Sequence, residues 1–262
     1  MQFVMYIIKF GGSVITEKAS EKSIFKTDIM DGLTKSLVSA GKEYIIVHGA
    51  GSFGHVLAKK YDLHMGFLSD TQKIGVALTQ MKVQQLNNLF LQSLHKYNIP
   101  AISISPHVTL TLHNHKVRIF HEEIFSWYLS KGFVPVTYGD VVLDTSLGFS
   151  ICSGDLLIEL LVEQFQPEKV IFIIDEDGLY DDNPKINPQA NFLNHISSKD
   201  IKSLTATLDK HADVTGGMKG KLETITNILR HDVDVILLNG NKPERLYNAL
   251  IGNKIKFTLI KR

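Results

Sequence analysis

The sequence predicts an α/β chain, a three-layer αβα arrangement around a mostly parallel central sheet. Two observations carry that reading. Short apolar runs of strand length alternate with longer segments of helical periodicity, the pattern of parallel strands covered by helices on both faces. Five of those runs then end in glycine and polar residues: KFGG at 9–12, VHGAG at 47–51, TYGD at 137–140, IIDEDG at 173–178 and LLNGN at 237–241. In open sheets of this class, ligands sit beyond the carboxyl ends of the strands.

The elements follow in order. FVMYIIKF at 3–10 reads as the first strand, ending near Lys9 in a glycine turn, and a helix is expected from about Ile24 to Ala40. YIIV from Tyr44 is the second strand, followed by HGAGSFGH and a helix through Lys59. From Asp70 to Tyr97, Ile74, Ala77, Leu78, Met81, Leu86 and Leu89 recur mainly at helical spacing. Those side chains read either as core or as the wall of an apolar pocket. AISI at 101–104 is a strand, and HVTLTLHNHKVRIF resembles a hairpin turning at Asn114. EEIFSWYLSKG is a helix with a glycine stop, FVPVTYGD a strand, and 155–165 a helix. KVIFII is a buried strand reaching Asp175, and DNPKINP a turn-rich loop. DVTGGMKGKLETITNILRHD joins a glycine turn to a helix, VDVILLNG is a strand, PERLYNAL a short helix, and FTLIKR a last edge strand. A boundary between two joined lobes is expected at 167/168.

Bulk properties narrow the function. The chain has 262 residues, 44% apolar and 21% charged, with a net charge of +1, so nothing points to a nucleic-acid partner or a polybasic tail. The opening apolar run stops at Lys9, too short to span a membrane. Cys152 is the only cysteine, which excludes an intrachain disulfide and makes a reducing cytoplasm the expected location. No spacing of metal ligands stands out, and a resident protein metal site is not expected.

The strand ends carry the chemistry. Gly11 and Gly12 form one turn; Gly49, Gly51 and Gly54, with Ala50 between, form another. Glycine lets an anion approach backbone N–H groups, and several such groups at a helix start make a phosphate cradle. Either turn alone is equally a tight connection. Lys9, Lys18 and His55 lie nearby in sequence and suit phosphoryl groups. Asp155 after Ser153-Gly154 can orient lysines or stabilise a helix start. Asp175 and Asp177 suit a nucleotide or Mg²⁺ site, or a solvated acidic turn. TGGMKGK supplies Gly216, Gly217, Lys219 and Lys221, with Lys221 weighted above Lys219.

Taken as an ordered set, KFGGSVITEK, VHGAGSFGH, GFVPVTYGDVVLD, SGD, DEDGLY, DVTGGMKGK and LNG resemble the isopentenyl phosphate kinases of the amino-acid kinase superfamily, almost end to end. The resemblance implies an amino-acid kinase-like fold, with residues 1–167 as acceptor-binding lobe and 168–262 as nucleotide-binding lobe. It further implies ATP, Mg²⁺, a homodimer, and transfer to isopentenyl phosphate in an isoprenoid route starting from mevalonate. Carried across, Lys9, Lys18, His55 and Lys221 are the catalytic group. Gly11, Gly12, Gly49, Ala50, Gly51, Gly54, His55, Gly154 and Asp155 serve the acceptor. Lys9, Asp175, Gly178, Gly216, Gly217, Lys219 and Lys221 serve ATP. Ala50 stands where many relatives have a third glycine, and Leu156 where several have aspartate. Two other readings stay open: a kinase for another small phosphate or phosphonate such as fosfomycin, and a nucleotide-binding regulatory or storage protein without transfer activity.

Overall fold

A computed structural model describes residues 5–17, 23–201, 204 and 216–261, with the side chains at 216, 217 and 219 outside that description. The strands are β1 Met5–Phe10, β2 Glu43–His48, β3 Ala101–Ser103, β4 Leu110–His113, β5 Lys116–Phe120, β6 Val134–Tyr138 and β7 Asp140–Asp144. They continue as β8 Gly148–Cys152, β9 Lys169–Ile174, β10 Leu179–Tyr180, β11 Phe192–Leu193, β12 His195–Ser197, β13 Asp234–Asn239 and β14 Thr258–Lys261. The helices are α1 Gly12–Ile15, α2 Thr27–Ala40, α3 Gly51–Lys60, α4 Thr71–His95, α5 Pro106–Thr109, α6 Glu122–Ser130, α7 Gly154–Phe165, α8 Gly216–Leu229 and α9 Glu244–Leu250. None of the described helices is long and apolar enough to cross a membrane.

Eight strands form one sheet in the order β12-β14-β13-β9-β1-β2-β6-β3. All its pairings are parallel except β13 with β14. The expected last edge strand is therefore wrong in place: β14 sits between β13 and β12, and its outer side is taken by β12. A short strand from the 195–197 region, invisible as an apolar run, covers that edge.

Strand alternation divides the core in two. Ile7, Ile45, Val47, Val170, Phe172, Val235 and Leu237 point to the face covered by α7 and α8. Tyr6, Ile8, Phe10, Ile46, Ile171, Ile173 and Leu238 point to the face covered by α2, α4 and α9. The same parity sends Lys9 toward α7 and His48 toward α4.

β1 is the central strand. Its neighbours on the two sides are β2 and β9, so the chain diverges at the carboxyl end of β1. That divergence opens a crevice at the switch point of the sheet.

Helix α4 departs from expectation in the face it buries. Ile74 and Met81 are exposed, whereas Gln72, Thr79, Asn87 and Ser93 are buried with Val83, Leu86 and Phe90. The buried polar groups find internal partners, as with Gln72 Nε2 on the Tyr61 carbonyl at 3.1 Å and Thr79 on the Gly75 carbonyl at 2.7 Å. Of the apolar positions counted in the sequence, Leu86 is buried and Leu89 packs on the core, whereas Ile74 and Met81 face outward.

A second sheet, β5-β4-β7-β8, flanks the carboxyl end of the main one. The expected hairpin is present from Leu110 to Phe120, preceded by the short α5. Its turn residues Asn114 and His115 both have positive φ, 49° and 64°, matching strand twist. The hairpin β7–β8 was not read from sequence. Buried Asp144 ties the two hairpins together. Its carboxylate accepts from the N–H groups of Asn114, His115, Ser146 and Leu147 at 2.9–3.0 Å, and from the Ser150 hydroxyl at 2.8 Å. Burial acts to raise Asp144, but these donors outweigh it and hold the carboxyl well below the usual range.

A depressed carboxyl pKa contributes stability above the unfolded value near 4 and loses it as pH falls toward the folded value. Asp144→Ala leaves several donors unpaired and is expected to cost about 3 kcal/mol at pH 7 in urea denaturation. The gap from wild type is expected to narrow below about pH 4; a gap independent of pH contradicts the assignment.

Candidate active site

The crevice at the end of β1 is a cleft of about 640 Å³. Its walls follow β1, β2, β6 and β9, which brings together segments scattered over the chain. Gly240, after β13, does not line it; a Cβ there would stand 2.5 Å from Ile173 and Val14 side-chain atoms, so this glycine serves packing.

Lys9 lies at the floor, 6% exposed. Its Nζ forms an ion pair with Asp155 in the first turn of α7. Ser153 caps that helix, its hydroxyl accepting from Leu156 N at 3.1 Å. Phe172 is the register neighbour of Lys9 on β9, and its ring centroid lies 5.6 Å from Lys9 Nζ and 5.5 Å from Lys221 Nζ. Two ammonium groups thus share one ring face system and one carboxylate. Burial, then the Lys221 charge, lowers Lys9 to about 8 against the opposing pull of Asp155. Burial acts to raise Asp155, but Lys9 and Lys221 prevail and its pKa is lowered. The site is a cationic floor that remains charged at neutral pH.

The two glycine turns meet directly. A Cβ on Gly12 would stand 2.6 Å from Gly51 N, and one on Gly49 would stand 2.9 Å from Gly12 N. Gly51 has φ +51°. Thr16, missed in the sequence, bridges the turns: its hydroxyl donates to the Gly12 carbonyl at 2.8 Å and accepts from Ser52 N at 3.1 Å. Among the described residues, the N–H groups of Gly12, Ala50 and Gly51 find no acceptor. These donors, with the start of α3, form an anion cradle.

His55 stands on α3, one turn into the helix, on the wall of the cleft. Although the ring reaches solvent, the protein around it and then the Lys9 charge lower its pKa. The ring is therefore biased to neutral and offers one N–H. Gly54 and Gly154 line the same cleft. Gly154 leaves room for the Lys9 stem, since a Cβ would stand 3.2 Å from Lys9 Cε. Beyond His55, the wall is apolar: Val83 from α4, Val141 from β7 and Ile151 from β8. Of these only helix α4 was anticipated, and by other residues. Asp140, also on the wall, pairs with His107 Nδ1 at 2.6 Å.

Asp175 and Gly178, which follow β9, line the same cleft. Lys185, from the turn-rich loop, reaches Glu176 at 2.7 Å and Asp175 at 3.6 Å. Asp177 points away from ligand duty: Arg245 Nη1, Lys256 Nζ and Asn239 Nδ2 hold it at 2.7, 2.9 and 3.0 Å. Gly178 has φ +153°, and a Cβ there would collide with the Thr258 hydroxyl. Gly216 and Gly217 open α8, beside Lys221 on its first turns. Lys18 and the Lys219 side chain lie outside the described residues.

Comparison with known proteins adds to this geometry. The family model described as "Amino acid kinase family" matches residues 5–239. The isopentenyl phosphate kinase of Methanothermobacter thermautotrophicus is 38% identical, covering 98% of both chains. That of Methanocaldococcus jannaschii is 30% identical, over 95% of this chain and 96% of its own. A crystallographic isopentenyl phosphate kinase superposes with a TM-score of 0.87 at 34% identity, covering 98% of this chain and 100% of its own.

The loop contact can be tested against a glycine with room. Gly41 caps α2 with φ +58° and nothing near its Cβ, so Gly41→Ala is expected to cost about 1 kcal/mol through backbone strain alone. Gly12→Ala must push two backbones apart and is expected to cost about 3 kcal/mol. Equal melting temperatures for the two variants would contradict the contact.

Proposed function

This chain belongs to the amino-acid kinase superfamily and, within it, to the isopentenyl phosphate kinase family, and from that premise we propose that it transfers the γ-phosphoryl group of ATP directly to isopentenyl phosphate. The observation that carries the proposal is the set of groups that share one cleft: an apolar wall, His55 with an N–H cradle, the Lys9–Asp155–Lys221 floor, and Asp175 with Gly178. That set suits a hydrocarbon tail, an acceptor phosphate, a transferring phosphoryl group and a nucleotide. In this reading residues up to 167 bind the acceptor and those from 168 bind ATP.

The acceptor phosphate has a second pKa of about 6, so near pH 7 most of it is already an ionised nucleophile. No strong base is required. The barrier to lower is repulsion between two anions, and clustered cations lower it. Lys9 and Lys221 stabilise the oxygens of the transferring group, where charge is spread in a loose transition state. Asp155 keeps Lys9 aimed while leaving the floor with a net positive charge. The N–H groups of Gly12, Ala50 and Gly51, with His55, align the acceptor so that attack is in line. Asp155, paired with Lys9, and Asp175, within reach of Lys185, are two of the carboxylates that line the cleft, and no group of three metal-ligating residues occurs among the described residues. That donor set suits Mg²⁺ carried on the donor phosphates, where its chemistry is to neutralise charge. The apolar wall of Val83, Val141 and Ile151 favours a hydrocarbon-bearing acceptor over a compact polar phosphonate.

The deciding experiment is ³¹P NMR of the protein with Mg-ATP and isopentenyl phosphate, with fosfomycin as a second acceptor. New diphosphate resonances with ADP are expected for isopentenyl phosphate alone. Nucleotide binding without transfer to either acceptor overturns the proposal. His55→Ala is expected to lower kcat/KM for the acceptor by about 10²; near-normal transfer removes His55 from the site. Because free Lys9 titrates near 8, kcat/KM is expected to fall as pH rises through about 8. Lys9→Arg, which stays charged, is expected to lose that fall while turning over more slowly.

A further inference from the structure

The motif HGAGSFGH begins with a histidine that the proposed reaction leaves unused. His48 ends β2 on the α4 face and is completely buried. Its ring is stacked between Phe90, with centroids 4.8 Å apart, and Tyr138, at 5.3 Å. Nδ1 lies 3.1 Å from the Gly49 carbonyl oxygen, and Nε2 lies 3.2 Å from the carboxamide of Asn87 on α4. Asn87 in turn meets the Ser103 hydroxyl at 2.8 Å. Resting on the proposed reaction, we infer that His48 is a positioning residue, which orients the acceptor-phosphate loop by donating its Nδ1–H to the Gly49 carbonyl.

The argument runs through one peptide plane. In a trans peptide, the carbonyl of Gly49 and the N–H of Ala50 point in opposite directions. A carbonyl held into the core by His48 therefore turns the Ala50 N–H outward, to the cleft that Ala50 lines. The opposite orientation would set a carbonyl dipole against the anion. Gly49 lacks the Cβ that would restrict such a rotation, so the loop needs an external restraint. Two other contacts fix its ends: Gly49 N donates to Phe10 O at 3.0 Å, and Ser52 N donates to Thr16 at 3.1 Å. Neither controls the Gly49–Ala50 plane.

The hydrogen-bond chemistry selects one tautomer. A carbonyl can only accept, so Nδ1 must carry the hydrogen. Burial lowers His48 to about 4, so the ring is neutral and Nε2 is an acceptor. In the structure Asn87 Oδ1 faces Nε2 and Nδ2 faces the Ser103 hydroxyl; the inferred tautomer requires the carboxamide turned end for end, so that Nδ2 donates to Nε2 and Oδ1 accepts from Ser103. The chain Gly49–His48–Asn87–Ser103 thus links the loop to α4, the helix that also supplies Val83 to the apolar wall.

Three substitutions separate the two ring nitrogens. The amide nitrogen of asparagine can stand in for Nδ1 and that of glutamine for Nε2, while phenylalanine keeps only the stacking shape. His48→Asn is expected to retain the acceptor KM within about three-fold. His48→Gln and His48→Phe are expected to raise it by about ten-fold or more, with the ATP KM unchanged. Equal acceptor KM values in all three folded variants, or matching losses for ATP, overturn the inference. Two readouts need no turnover. In the wild-type protein, ¹⁵N imidazole shifts should report the Nδ1–H tautomer of His48; an Nε2–H tautomer overturns the inference even if every variant unfolds. Titration with inorganic phosphate should move the Ala50 amide resonance, and His48→Phe should abolish that response. A wild-type protein inactive on isopentenyl phosphate, yet showing the tautomer and the Ala50 response, refutes the proposed reaction and leaves the loop restraint standing.

Discussion

A lysine buried at the end of a central strand needs a counter-charge, and that need organises the rest of this molecule. Lys9 keeps its ammonium out of water only because Asp155 and the Phe172 ring stand beside it. Asp155 requires α7 to start where it does, and Phe172 requires β9 to pair beside β1 in the observed register. Strand parity sends Lys9 and Phe172 to one face, where α7 carries Asp155. The second ammonium, Lys221, then keeps the floor from becoming a neutral pair. A simple structural salt bridge would have one cation per anion; this one carries an excess cation aimed at a cleft.

Above that floor, the constraint is steric rather than electrostatic. Gly12, Gly49 and Gly51 touch backbone to backbone, so each glycine is required by another glycine. Thr16 fastens the contact with one hydroxyl used as both donor and acceptor. The result is a surface of N–H groups with no side chains over it. An arriving phosphate thus meets donors whose orientation is already set, which avoids the cost of ordering a loop at each turnover.

Much of this was legible before any coordinates. The strands with glycine at their ends are continuous in sequence, and Lys9, Gly11, Gly12, Gly49, Gly51, His55, Asp155, Asp175 and Lys221 all line the cleft. What escaped depends on pairings between distant segments. Phe172 looked like any buried strand residue until register set it beside Lys9. Val141 and Ile151 belong to a hairpin held by Asp144, whose donors come from two separate turns and from Ser150 on β8. Helix α4 misled because its buried face is partly polar, and hydrophobic counting is blind to polar groups that satisfy one another. Asp177 looked equivalent to Asp175, yet Asn239 and the cations Lys242, Arg245 and Lys256 tie it down. Local patterns locate the strand ends, whereas partners supplied by remote segments become visible only when the sheet is assembled.

The central position of β1 has a consequence for how the molecule is made. One side of this strand is met by residues 43–48, but the other waits for residues 169–174. During synthesis at about 5–20 residues per second, β1 emerges long before β9 and spends several seconds as an open parallel edge. That edge, rich in Ile and Phe, is the feature that chaperones and aggregation both recognise. The floor of the cleft cannot close before that moment, because Phe172 arrives with β9 and Lys221 later still with α8. A chain truncated before β9 would carry Lys9 and both glycine turns but no completed floor, so the long interval between β1 and its second partner sets the earliest moment at which the site can assemble.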